Sequence, residues 1–250
     1  MTLATPHRRL RPAAATVPAG SARARPGAAV TRAKRPGPAP AAGRAEGAAD
    51  TRELIFAAAA AGFSTHGFDG VSVDAIAAAA GVNKAMIYYH FEGKLGLYRA
   101  VVRDMLGAVA GAATKIAAGR DAPDAKIERF IHTLAHLRAA RPWFPPLMMR
   151  EMAAGAPHLD PDTLALMKSV FVGFAAMLEA GVAARVFRKV HPVLAYMTIM
   201  GPLMMNAVRE RAAARPGRAH LPMFAAVDRR ELVAHMQFTA LRMLAKDQPR

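Results

Sequence analysis

The 250-residue chain contains no cysteine, which removes disulfide scaffolds, thiolate zinc fingers and cysteine redox sensing together. Acidic residues are scarce, with 18 Asp and Glu against 34 Lys and Arg, for a formal charge of +16. A balance this basic suggests a polyanionic partner. Strand-like alternation and internal repeats are both missing, and the apolar spacing is helical throughout. No uninterrupted apolar run approaches the ~18 residues needed to span a bilayer. The longest greasy stretch, residues 192–208, contains Gly201-Pro202 and Asn206 and reads as a core helix that proline kinks. No membrane partner is expected, and a cytoplasmic location follows. The chain also lacks a nucleophile elbow, a phosphate loop with its Lys and Ser or Thr, and a cysteine nucleophile. No enzyme activity, catalytic residue or cofactor is therefore expected.

Residues 50–101 read as short helices whose last member exposes the wrong residues for a packed core. Asp50-Thr-Arg-Glu53 has the form of a capping box, which predicts a helix start there. Leu54, Ile55, Ala58, Ala59, Gly62 and Phe63 give that helix a narrow inner face, and His66-Gly67-Phe68-Asp69-Gly70 breaks it. Ser72 is placed as the N-cap of a second helix with Asp74 in its first turn, and Gly81 ends it. Asn83 then caps a third helix, so two helices meet across a turn too tight for an antiparallel pair. That is a helix-turn-helix, whose second helix enters the DNA major groove. Lys84 can donate to guanine or phosphate, and Ala85 and Met86 can touch a thymine methyl. Tyr88, Tyr89, His90 and Lys94 suit phosphate oxygens, as does Ser72 at a helix N-terminus. Ile87 and Phe91, four apart, are expected to face the first helix, and neighbouring Tyr88 and Tyr89 cannot both share that core.

The order Gly67-Phe68, Ser72-Val73, Ile76-Ala77, Ala80-Gly81-Val82, Lys84, Tyr88-Tyr89-His90-Phe91, Lys94, Leu97 and Ala100-Val101 resembles the DNA-binding domain of TetR/AcrR-like transcriptional regulators. The resemblance implies an all-helical homodimer with a variable C-terminal ligand-binding domain, usually a repressor that a small molecule releases from its operator. Met86 departs from the small or hydroxylated residue common there, and Asn83 and Ala85 replace the common Ser and Gly.

The charge is unevenly spread. Residues 51–100 set Arg52, Lys84, Lys94 and Arg99 against Glu53, Asp69, Asp74 and Glu92, a net of zero. Residues 1–50 hold nine Arg or Lys against Glu46 and Asp50, a net of +7. The first 46 residues, rich in Ala, Pro, Gly and Arg, cannot bury enough apolar surface to repay ordering and read as a disordered basic tail. It is either an arm that follows the DNA backbone or a solvated extension from a mis-assigned start. Arg8-Arg9 lacks the apolar region of an export signal.

The expected division is a tail over 1–46, a helix-turn-helix domain over 47–94, a helical effector and dimerisation domain over 95–246, and a C-terminal tail over 247–250. The fold class is all-α with about nine helices. On neighbouring predicted helices, Trp143, Phe144, Met148, Met152, Phe171, Phe174 and Met177 suggest either an apolar effector pocket or plain core. Arg150, Glu151, His132, His136 and Tyr196 are possible polar anchors. His132 and His136 have the i, i+4 spacing of metal ligands, but Thr133 stands where a zinc protease motif needs Glu, and no metal is expected. Met197, Gly201, Met204, Met205 and Val208 on the penultimate helix, with Leu232, Met236, Thr239 and Met243 on the last, spread more apolar width than a monomer surface tolerates. Pairing with a second copy would cover them. The function expected is a sequence-specific regulator, most simply a homodimeric repressor that an unidentified hydrophobic effector releases from a double-stranded palindromic operator. The alternatives are an activator with the same head, or a non-specific architectural DNA-coating protein.

Overall fold

The computed structural model describes residues 41–217 and 221–246. The expected tails at residues 1–40 and 247–250 lie outside the described residues. Nine α-helices are present among the described residues, with no strand beyond one isolated bridge between Phe187 and Ala245. They are α1 (Ala41–His66), α2 (Val73–Ala80), α3 (Ala85–Phe91), α4 (Lys94–Ala118), α5 (Pro123–Ala140), α6 (Phe144–Ala153), α7 (Pro161–Ala183), α8 (Pro192–Ala213) and α9 (Arg229–Leu244).

The start of α1 corrects the sequence expectation. Asp50 does not cap the helix but lies within it, nine residues past its beginning, and residues 41–46 of the expected tail are helical. Alanine is the best helix former, and once a helix exists each added residue gains a bond at little further cost. Leu54 also departs from the expected inner face and is exposed, whereas Ile55, Ala59 and Phe63 are buried. The other caps behave as their chemistry requires. The Ser72 hydroxyl accepts from Ala75 N at 3.0 Å, and the Asp160 carboxylate accepts from Thr163 N at 3.0 Å, with Pro161 at the first helical position. Pro202 sits inside α8 without ending it.

The long helix α4 organises the chain. One face buries Leu97, Tyr98, Val101, Val102, Met105 and Val109, and it packs on α1 and α3 near its start and on α5, α6 and α7 along its length. Its most extensive partner is α7, where the two backbones come unusually close. A Cβ on Gly173 would stand 2.9 Å from the Ala113 side chain, so only glycine fits without displacement. By length and composition α7 is also apolar enough to cross a bilayer, more so than residues 192–208. Here it buries Val170, Phe174, Met177 and Leu178 against the other helices.

Candidate nucleic-acid interface

The helix-turn-helix head is built by α1 to α3 and the first turn of α4. The chain leaves α2 through Gly81, whose φ of 68° is left-handed backbone that glycine adopts at no steric cost. After residues 82–84 it enters α3. Asn83 contributes as its residue type predicts, with Oδ1 accepting from Ala85 N at 2.9 Å. The sides of α3 then separate cleanly. Ile87 and Phe91 are buried, while Tyr88 and Tyr89 are 57% and 78% exposed. Two adjacent tyrosines held in water on a seven-residue helix cost hydrophobic free energy that only a partner would recover.

The remaining candidates divide into free and engaged groups. Ser72, Asn83, Lys84 and Ala85 are exposed. The Ser72 hydroxyl still has its proton to donate, because its cap bond uses only an acceptor site. Lys84 Nζ is paired with Asp74 Oδ1 at 3.0 Å. The hydrogen bond and charge of Asp74 hold the Lys84 ammonium above the usual lysine range. Met86 is half-buried and packs on the core, so only part of it faces outward. His90 stacks edge-on with Tyr89 at 4.9 Å, and its Nε2 is buried without a hydrogen-bond partner. Lys94 lies with Nζ 4.3 Å from the centre of the Phe68 ring, a cation–π contact.

Sequence reasoning misses Arg52 and Asp74. Arg52, exposed on α1, places its guanidinium 5.0 Å from the Phe91 ring and so stands beside the end of α3. Nothing in the local sequence singles out a lone arginine on a helix. The sequence marks Asp74 only as a first-turn anion, and its pairing with Lys84 forms across the turn.

Behind the head lies a buried polar junction that joins it to the body. Tyr98 Oη donates to Glu151 Oε2 at 2.7 Å, and His158 N donates to Glu151 Oε1 at 2.8 Å. His158 Nδ1 lies 3.0 Å from Glu151 Oε2. Phe68 of the head lies against both rings, tilted over His158 at 4.0 Å and edge-on to Tyr98 at 5.2 Å. Burial alone would raise the Glu151 carboxyl, but the hydrogen bonds from Tyr98 and His158 outweigh it and hold the group below its ordinary range. The same burial, with the bond to Glu151, pushes the Tyr98 hydroxyl far upward.

The body residues named from sequence do not line one cavity. Phe171, Phe174 and Tyr196 do come together, with Tyr196 at 5.8 and 5.6 Å from the two phenyl rings. Burial pushes the Tyr196 hydroxyl up to about 12. Met177 is fully buried, as are nearly Phe144 and Met148, whereas Met152 is exposed. Trp143 instead packs edge-on against Phe56 of α1 at 6.0 Å. His132 and His136 are exposed, outside the face of α5 that buries Ile127, Phe130 and Leu134, and line a cavity of ≈ 430 Å³ beside Arg229 and Arg230. Among the described residues no three His, Asp or Glu side chains gather as metal ligands would.

The expected dimer surface also divides. On α8, Met197 and Met205 are 61% and 60% exposed, Gly201 is exposed, and Met204 and Val208 are half-buried. On α9, Thr239 is exposed and Met243 half-buried, but Leu232 and Met236 are buried within the chain. Those two are a correction, because α9, packed on α5 and α8, uses them as core of the chain. Phe238, 61% exposed, is the large apolar residue that α9 presents instead.

Residues 55–101 match the family described as bacterial regulatory proteins, tetR family. Over 141 residues, 56% of its length, the chain is 31% identical to the HTH-type transcriptional regulator RutR of Escherichia coli O157:H7. That alignment spans 66% of RutR, just under two thirds of the relative's length. The TetR-family regulator PfmR of Thermus thermophilus superposes with a TM-score of 0.58 at 25% identity, over 77% of this chain and 99% of that one. The ketosteroid transcriptional regulator KstR2 of Mycobacterium tuberculosis gives 0.62 at 18% identity, over 78% and 95%, a likeness of fold alone.

Proposed function

We propose that the chain, whose residues 55–101 match the tetR family of bacterial regulatory proteins, is a sequence-specific transcriptional regulator that reads double-stranded DNA. The observation that carries this reading is the division of α3, which buries Ile87 and Phe91 and leaves Tyr88 and Tyr89 in water beside Lys84. In the proposed complex Lys84, Ala85 and the outward part of Met86 meet base edges. Ser72, Asn83, Tyr88, Tyr89 and Lys94 hold the flanking phosphates. Lys94 can do so while its stem stays on Phe68, and His90 supports Tyr89 by stacking.

The regulator acts as a homodimeric repressor in the cytoplasm, released from a palindromic operator by a small hydrophobic ligand. The exposed stripe of Leu194, Met197, Gly201 and Met205 on α8, with Phe238 on α9, supports pairing with a second copy. Two copies of α3 then read half-sites about one helical turn apart, ~34 Å. A released state requires a ligand that prefers one arrangement energetically, since equal affinity for both shifts nothing.

The formal charge of +16 favours a second reading, a protein that coats DNA without sequence preference. Selection from a pool of random duplexes, followed by footprinting, separates the two. A regulator enriches an inverted repeat and protects a compact site, whereas a coating protein enriches nothing and protects uniformly.

A further inference from the structure

A cleft of ≈ 420 Å³ between α6 and α8 is lined by Pro146, Met149 and Arg150 on one side and by Val208, Arg211 and Arg215 on the other. Three of its lining residues are arginines and none is an acid. None of the three lies within ion-pair distance of a carboxylate among the described residues, although several other arginines of the chain do. Three uncompensated cations in one cleft repel each other, and an anion there would relieve the repulsion.

Two of the arginines are already fixed in place by the head. Arg150 donates Nη1 to the Ser64 carbonyl at 2.8 Å, and Arg211 donates Nη1 to the Ser64 hydroxyl at 2.8 Å. A guanidinium has five N–H donors in a rigid fork, so these bonds hold the side chains without exhausting them. Arg215 is exposed and makes no side-chain hydrogen bond among the described residues. The site is thus two anchored donors and one free one.

The rest of the lining narrows the ligand. Met149 is exposed at the cleft, and methionine adapts to irregular apolar shapes. Arg211 also borders a second groove of ≈ 450 Å³ whose walls include Phe56 and Trp143. A charged head at the arginines therefore has apolar surface on both sides. We infer that this paired groove binds an amphipathic organic anion, with its carboxylate or phosphate on Arg150, Arg211 and Arg215 and its apolar body along Met149 or Trp143. Because Ser64 belongs to α1 of the head, such a ligand acts on the two bonds that tie α6 and α8 to the DNA reader. Its role as an effector rests on the regulator reading above, whereas the binding site does not.

The test uses the full chain, with octanoate as the probe and octanol and inorganic phosphate as controls. Trp143 is the sole tryptophan, so its fluorescence reports a ligand lying along it; calorimetry gives affinity and stoichiometry for either placement. Octanoate should bind saturably, one per chain, and at least ~10-fold more tightly than octanol or phosphate, because one charge-assisted bond is worth about that factor. Arg211→Gln should weaken it ~10-fold or more. Arg215→Gln should do likewise, and this side chain has no bond within the chain to lose. Absence of saturable octanoate binding overturns the site, as does octanol binding equally well or an affinity unchanged in both variants. DNA selectivity is measured separately. Octanoate binding without DNA selectivity keeps the site and discards the regulator; the reverse discards the site and keeps the regulator.

Discussion

Lys84 at the start of α3 and Asp74 in the first turn of α2 form an ion pair, Nζ to Oδ1 at 3.0 Å, across the turn of the reader head. Both side chains are largely exposed, so the pair adds little to the stability of the fold. In the proposed complex Asp74 offsets the charge of Lys84, the cation assigned to the groove. Asp74→Ala should leave thermal stability almost unchanged and tighten binding to any duplex, with a steeper salt dependence. Lys84→Ala should weaken the selected site roughly ten- to a hundredfold and relax preference at one base pair. Equal weakening on every sequence would make Lys84 a phosphate contact instead.

Neighbouring positions on α3 should respond oppositely. Tyr88→Ala should lower operator affinity while the melting curve stays in place. Ile87→Ala, at a fully buried site, should cost about 2–5 kcal/mol of stability. If Tyr88→Ala unfolds the head and leaves DNA affinity intact, the assignment of the two faces is wrong.

The buried junction gives the fold an acid limb. Glu151 is depressed in the folded chain, so its contribution to stability is fully present above the unfolded carboxyl value of about 4.5 and is lost as pH falls through its lower folded value. Asp160, held well below its ordinary range chiefly by Arg103 and Thr163, adds in the same direction. Denaturant titrations should show stability falling below about pH 4.5, with a shallower fall in Glu151→Gln. Tyr98→Phe removes one donor from a buried carboxylate and should cost about 1–3 kcal/mol near neutral pH. A Glu151→Gln protein with the same acid limb would assign that limb to other groups.

The exposed stripe on α8 can be tested by charge. Met197→Glu or Met205→Glu should give monomers in sedimentation at concentrations where the parent chain is dimeric, with each monomer keeping its helical signal. Leu232→Ala should act differently, destabilising the monomer by about 2–5 kcal/mol because its side chain is core. Dimers that survive both glutamates would place the interface elsewhere.

The head is legible in the sequence because its signals are local. Ser72, Gly81 and Asn83 act within four residues of themselves, and the burial of Ile87 and Phe91 follows from helical spacing alone. The body is legible as helices but not as a site, since each apolar face has several possible partners. Leu232 and Met236 share the apolar pattern of Met197 and Met205, and only the docking of α9 within the chain makes them core. Trp143 likewise joins α1 rather than the aromatic cluster of α7 and α8. The start of α1 escapes a local reading because Asp50 to Glu53 has the form of a cap but sits in an alanine-rich run that favours helix on both sides. The bonds of Arg150 and Arg211 to Ser64 connect residues 86 and 147 positions apart, which no local pattern announces.

The central claim is that α3 reads sequence, and the most direct measurement is the affinity ratio between a selected duplex and a scrambled one of equal length at near-physiological salt. A regulator of this kind should bind the selected duplex ~10³-fold or more tightly, with the ratio falling sharply in Lys84→Ala. A ratio near one, with both affinities lost steeply and equally as salt rises, would contradict the account.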